Sequence, residues 1–430
     1  HPNMKGFRSS IFHTFGADKY EYIQDALLVT KQGKVVAVGE YSELRPTYAN
    51  LPITSFKDTL LIPGFVDVHT HYPQYHSIAS YGEKLIDWLN KYIFIEEQKF
   101  SDYEYASNIA SWFFDELVKN GTTTAMSFCT THPVSVDAYF EEAKSRNMRM
   151  GGGKVMMDVN APKALLDTAE RSVQESEELI KKWHNVDRLT YALTPRFAPT
   201  SSKEQLQKCG RLYSEYSKSG VLLQTHLNEN LGEIEWVKSL FGEEKSYLQV
   251  YEDFGLVGEN SIFAHCIYND KRELEKLSSC GAKISLCPRS NLFLGSGLFS
   301  VADIKKHSIS FALASDVGAG DSFSMLGVMN EAYKICQLQG YALSPIEAFY
   351  LSTLAGAQVL GCDKQIGNFE KGKEADFIVM DLRATKIIEE RIKRAKNIED
   401  ILFSLMILGD DRVIQEVFIL GESIYKKGSQ

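Results

Sequence analysis

The stretch Ile62-Pro63-Gly64-Phe65-Val66-Asp67-Val68-His69-Thr70-His71 decides the fold. It reads as a short buried strand, apolar and β-branched after the Pro-Gly break, that ends in two histidines. Successive residues of a strand point to opposite faces, so His69 and His71 share a side and Thr70 turns away. Two neutral imidazoles on one face at the carboxyl end of a strand can grip one zinc or iron ion. A His-x-His pattern alone also fits a hydrogen-bonded or surface pair, so the remaining strands have to decide.

From about residue 63 to 365, short apolar runs alternate with segments of helical period. The runs are 65–69, 123–129, 148–157, 189–197, 221–227, 261–267, 283–288 and 310–315. Between them lie candidate helices at 103–119, 168–183, 203–217 and 271–278. Eight strands alternating with helices predict parallel β/α units, and a (β/α)8 barrel is the closed form that fits this length. A doubly wound open sheet competes, but no Gly-x-Gly-x-x-Gly follows the first strand.

The two ends have a different character. Residues 26–30 and 34–38 are β-branched runs joined by Lys31-Gln32-Gly33, a hairpin signal. A third run, 59–62, leads into the histidine strand. Past residue 366 a turn and strand at 370–380 and a hairpin at 412–425 return to strand character. The expected division is a small β-domain, a β-sandwich from 4–62 and 366–430, around a catalytic barrel at 63–365. The segment His1-Pro2-Asn3 ahead of Met4 reads as a remnant foreign to the domain.

The net charge of −9 and the lack of a basic stripe argue against nucleic acid as a partner. The seven scattered cysteines include no Cys-x-x-Cys, which argues against a disulfide framework or a thiolate zinc knuckle and suits a reducing cytoplasm. No apolar run approaches a membrane span, and no signal peptide is evident.

In a barrel, strand ends converge on one face, where active sites form. Four strands end in ligand-type residues: the first in His69 and His71, the fifth in His226 followed by Glu229, the sixth in His265 and the eighth in Ser315-Asp316. Three imidazoles and a carboxylate suit a catalytic metal, with Asp316 binding the ion or accepting a proton from its water. Glu229, at the mouth, suits a general acid and base. His265 is either a ligand or a group that polarises the attacked centre, and the second role is favoured because the other four fill the usual first shell. Gln74 and Arg196 can read the edges of a flat heterocycle while Phe197 stacks on its face.

Pro63–His71, His226, His265 and Ser315-Asp316 together resemble the metal-dependent amidohydrolase superfamily. Within it, His69–Gln74, Trp88–Tyr92, Thr194–Phe197, His226–Asn230 and Ser290–Gly297 are similar to the guanine deaminases. The likeness runs through essentially the whole chain. It implies hydrolytic deamination of guanine to xanthine and ammonia, one Zn2+ per chain with iron as the alternative, a homodimer, and a cytoplasmic setting. By position it implies His69, His71, His226 and Asp316 as metal ligands. It assigns Glu229 as proton shuttle, His265 and Asp316 as further catalytic groups, and Gln74, Arg196 and Phe197 as guanine contacts. Hydroxide from a metal-activated water is expected to add to the aminated ring carbon.

Two positions depart from the pattern or need a decision. Arg289 stands where a small or neutral residue is expected, either as a cation near the pocket or, the favoured reading, at the surface. Lys154 is read as structural rather than as the carboxylated bridge of binuclear relatives. Residues 81–97 are a candidate lid. The rival readings are deamination of triazines, adenine derivatives or cytosine, a binuclear cyclic-amide hydrolase, and a non-catalytic scaffold.

Overall fold

A computed structural model describes residues 3–429, so His1 and Pro2 of the segment read above as a remnant lie outside the described residues. The barrel strands are buried on both faces, as parallel strands covered by helices must be. They follow the four strands β1 (Met4–Thr14), β2 (Tyr20–Lys31), β3 (Lys34–Glu40) and β4 (Ile53–Pro63). They comprise β5 (Phe65–His71), β6 (Thr122–Phe128), β7 (Arg149–Gly153), β8 (Val155–Met156) and β9 (Leu189–Pro195). β10 (Leu222–Leu227), β11 (Ser261–His265), β12 (Lys283–Leu286) and β13 (Ser310–Leu313) complete the set. They pair in parallel in the order β5-β6-β7-β9-β10-β11-β12-β13, with the short β8 also paired to β9. β7 and β8 together are the third apolar run, split at Lys154.

The ladder stops between β13 and β5, and the loop after β13 bridges that seam at the mouth. Asp316 N–H donates to His69 O at 2.9 Å, and His71 N–H donates to Val317 O at 2.9 Å. Deeper in the seam, the Asp67 carboxyl accepts from the backbone and hydroxyl of Ser315 at 2.9 and 2.5 Å. Seam closure and ligand placement are thus one structural event.

The termini build a second sheet. β14 (Phe377–Asp381), β15 (Ile414–Ile419) and β16 (Glu422–Lys426) join the first four strands in the order β16-β15-β14-β4-β1-β2-β3. This is one continuous hydrogen-bonded sheet. β4 connects it to the barrel by alternation: Leu60 and Ile62 enter the barrel's core, whereas Leu61 joins Phe7, Phe377 and Phe418 on the sheet's other side. β14 alternates likewise, with Ile378 and Met380 toward the barrel and Val379 away from it. Arg188 ties the two sheets further, bonding Asp376 at 2.8 and 3.1 Å and Glu374 at 2.8 Å.

The carboxyl-terminal stretch is less strand-like than its pattern suggests. It contains helices Lys386–Lys393 and Ile398–Leu408. Ile388, Leu402, Leu405 and Met406 enter the barrel core, and the charged residues 389–394 form the solvent side of the first helix.

Candidate metal centre and adjoining pocket

The side chains predicted at four strand ends meet at the mouth of the barrel. His69 Nε2 and His71 Nε2 lie 3.2 Å apart, and Asp316 Oδ1 lies 3.1 and 3.3 Å from them. His226 joins the two strand histidines, with one ring nitrogen of each of the three within 4.8 Å of the others. Its Nδ1–H donates to Arg196 O at 2.6 Å, which leaves Nε2 with its lone pair free. Burial pushes the His71 imidazole down to about 3 and that of His226 well below its usual range, so both are neutral and ligand-competent. Burial alone would raise Asp316, but the surrounding His69, His71 and His265 hold it well below the usual carboxylate range.

Three imidazole nitrogens and a carboxylate oxygen, buried and convergent, are the donor set of a metal centre. Without an ion, their lone pairs would face one another with too few protons to satisfy them. His265 adds to this: its Nδ1–H donates to Asn291 Oδ1 at 2.9 Å, while its buried Nε2 has no hydrogen-bond partner. That nitrogen lies 3.3 Å from Glu229 Oε1 and 3.5 Å from Asp316 Oδ2, facing the space where a reacting group would sit.

The backbone is bent to place these groups. Asn228, His265 and Asp316 have φ of +53°, +81° and +49°, the left-handed region that side chains seldom adopt. Such conformations persist where packing holds them, and they cluster at functional sites.

Above the centre is a small cavity of about 30 Å³, lined by His71, Gln74, Trp88, Arg196, Phe197 and Glu229 among others. Glu229 and Glu233 are both fully enclosed. Burial, then the carboxyls of Glu233 and Asp316, push Glu229 well above the carboxylate range against the pull of Arg196. That shift favours the protonated form of Glu229, the form a proton donor requires. Phe197 meets His226 and Trp236 edge-on, with ring centroids 6.4 and 5.9 Å away.

Several residues escaped the sequence reading. Glu97 pairs in bidentate fashion with Arg196, at 2.7 and 3.1 Å. Glu233 falls in an acidic stretch that reads as surface, yet it lines the cavity. Cys287 has its sulfur within 4.8 Å of His69, His265 and Asp316 donor atoms. Burial pushes that thiol well up, so it is a neutral neighbour of the centre. Residue type alone gave no signal for Glu97 or Cys287.

Arg289 and Lys154, the two positions singled out above, both have structural partners. Arg289 is half-buried outside the cavity lining, donating to Asp321 at 2.5 Å and Gly327 O at 3.4 Å. Lys154 is fully buried away from the centre and donates to Asp167 and, at 2.5 Å, to Thr131 O. The candidate lid folds as short helical turns from Leu85 to Ser101, with Leu85, Trp88 and Leu89 roofing the cavity.

Comparison with known proteins gives the family. The profile described as the amidohydrolase family matches residues 60–424. The guanine deaminase of Escherichia coli (strain K12) is 48% identical over 412 residues, covering 96% of this chain and 93% of that protein. The solved structure of the E. coli guanine deaminase superposes with a TM-score of 0.96 at 46% identity, covering 99% of this chain and 100% of the other. A guanine deaminase from C. acetobutylicum, solved with guanine bound in the active site, superposes at 0.91 with 33% identity, covering 98% and 100%.

Proposed function

The chain belongs to the amidohydrolase family, and from that premise we propose that it hydrolyses guanine to xanthine and ammonia. The observation that carries this reading is the buried acid Glu229, set 3.3 Å from His265 Nε2 in a cavity that also presents Gln74, Arg196 and Phe197. The identity to guanine deaminases over nearly the whole chain points to the same substrate.

His69, His71, His226 and Asp316 are the residues that would hold the metal, which we take to be one zinc per chain. When bound, the metal supplies Lewis acidity and makes a coordinated water acidic enough to be the nucleophile near neutrality. Glu229 gives its proton to the ring nitrogen beside the aminated carbon, and that carbon becomes electrophilic. Asp316 accepts the proton that the attacking water loses. His265, neutral because burial pushes it down to about 4, polarises the carbon's new oxygen. Asp316 passes its proton to the amino group, which leaves as ammonia, while the Glu229 carboxylate takes the proton of the new hydroxyl as that oxygen becomes the product's carbonyl. The ring nitrogen keeps its proton, so one water is consumed, one ammonia is released and both carboxyls end as they began. Gln74 and Arg196 orient the ring by its polar edge and Phe197 by its face.

We extend the reading to the chain's setting: a homodimer in the cytoplasm, with 4–62 and 366–430 as the small β-domain and 63–365 as the catalytic barrel. The cysteines of the described residues are all unpaired, which supports a reducing compartment. Among the described residues, no helix is long and apolar enough to cross a membrane.

The test is product formation from guanine, with adenine, cytosine and a triazine run alongside. Xanthine from guanine, with little turnover of the other rings, supports the reading. Turnover of another ring with guanine inert would keep the chemistry and replace the substrate.

A further inference from the structure

Behind the two proposed purine readers lies a carboxylate that touches both and does not itself line the cavity. Glu97 and Arg196 are almost fully enclosed. Glu97 Oε1 and Oε2 accept from Arg196 Nη1 and Nη2 at 2.7 and 3.1 Å. Glu97 Oε2 also lies 3.5 Å from Gln74 Nε2. On its other side, Gln74 Oε1 accepts the Gly318 backbone N–H at 2.9 Å.

These contacts fix the direction of the Gln74 amide. Its oxygen is held by a backbone donor and its nitrogen faces an acceptor-only group, so the reversed amide would set donor against donor and acceptor against acceptor. What remains for a ligand is the second N–H of Gln74 and the uncommitted N–H groups of Arg196, which has no acceptor at all. The reading edge therefore offers donors. A 6-oxo purine presents an acceptor there, whereas a 6-amino purine presents a donor that would be buried unpaired.

We propose that Glu97 is a positioning residue that sets substrate specificity: it turns Gln74 and Arg196 into a donor-only edge that selects a 6-oxo purine. This deepens the guanine reading and rests on it. Sites built to hydrogen-bond one polar group discriminate strongly against analogues that leave their buried groups unpaired.

The metal-loaded protein and its Glu97→Gln variant would be compared on guanine and on 2-aminopurine, which keeps the reacting 2-amino group and lacks the 6-oxo oxygen. 2-Aminopurine is scored by turnover or, where that is slow, by competitive inhibition. The neutral amide of the variant turns an N–H toward the donors that Glu97 holds. We expect kcat/KM for guanine to fall about tenfold or more, mostly through KM, and the 2-aminopurine constant to stay within about twofold. Metal content should match that of the parent. Gln74→Leu should produce the same substrate-selective loss, and the double variant should lose no more than the worse single one, because Glu97 acts through the readers. Equal losses on both purines, or no loss on guanine, would overturn the proposal. A loaded parent protein that releases no ammonia from guanine would instead overturn the functional reading beneath it.

Discussion

Glu229 and Glu233 lie four residues apart, both buried, and the first approaches His265 while the second accepts from the Glu229 backbone N–H at 3.4 Å. Glu229→Gln keeps the shape and removes the transferable proton. Turnover of guanine should fall by a factor on the order of 10²–10⁴, with metal content unchanged; near-normal turnover would contradict the assigned role. Glu233 makes a separate prediction about stability. Burial pushes it up to about 8 in the folded chain, against an ordinary value near 4.3 when unfolded. The folded state then holds a proton that the unfolded state has lost, so stability declines as pH rises between those two values. Glu233→Gln mimics the neutral form, and its thermal midpoint should gain on the parent's progressively from pH 5 to pH 8. A constant offset across that range would contradict this. The ligand histidines were legible because each ends an apolar run. The Glu97–Arg196 pair joins residues 99 positions apart, and no local pattern announces such a partner.

Most barrel strands were readable because burial on both faces makes them apolar runs rich in large or β-branched residues, although β7 is largely glycine. The helix Tyr103–Lys119 matched its expected span, with Asp102 capping it through the Glu104 N–H at 2.9 Å. The helix at 398–408 was hidden among strand-like neighbours, and its apolar residues are explained only by the barrel core they reach. The seam is where an element-scale prediction is sharpest. Gly320 N–H donates to Asp316 O at 2.7 Å, and a Cβ on Gly320 would collide with Ser315 O. Gly320→Ala should displace the turn that carries Asp316, lowering metal content and activity together more than it lowers the thermal midpoint. An unchanged metal content would show that the turn tolerates the side chain.

At the scale of the molecule, the barrel and the terminal sheet share two strands' worth of alternating side chains and a buried ion network. Arg188 is mostly enclosed and bonds Asp376 and Glu374 together, with Arg149 adding two bonds of 2.8 Å to Glu374. Removing one partner of a buried pair leaves the other uncompensated, so Arg188→Met should cost about 3–5 kcal/mol by denaturant unfolding. A loss below about 1 kcal/mol, the scale of a surface ion pair, would contradict that reading. The pairing of the two ends was visible as shared strand character, but the ions that bind them were not, because they come from the barrel's strand starts and a turn far along the chain.

The central claim is that the four strand-end ligands and Glu229 form one mononuclear deaminating centre. Its most direct test is to strip the purified protein of metal and add zinc in measured equivalents, following ammonia release from guanine. The account predicts no release without metal and activity that rises linearly to a plateau at about one zinc per chain. A plateau at two zinc ions, or a fully loaded protein that leaves guanine intact, would contradict it.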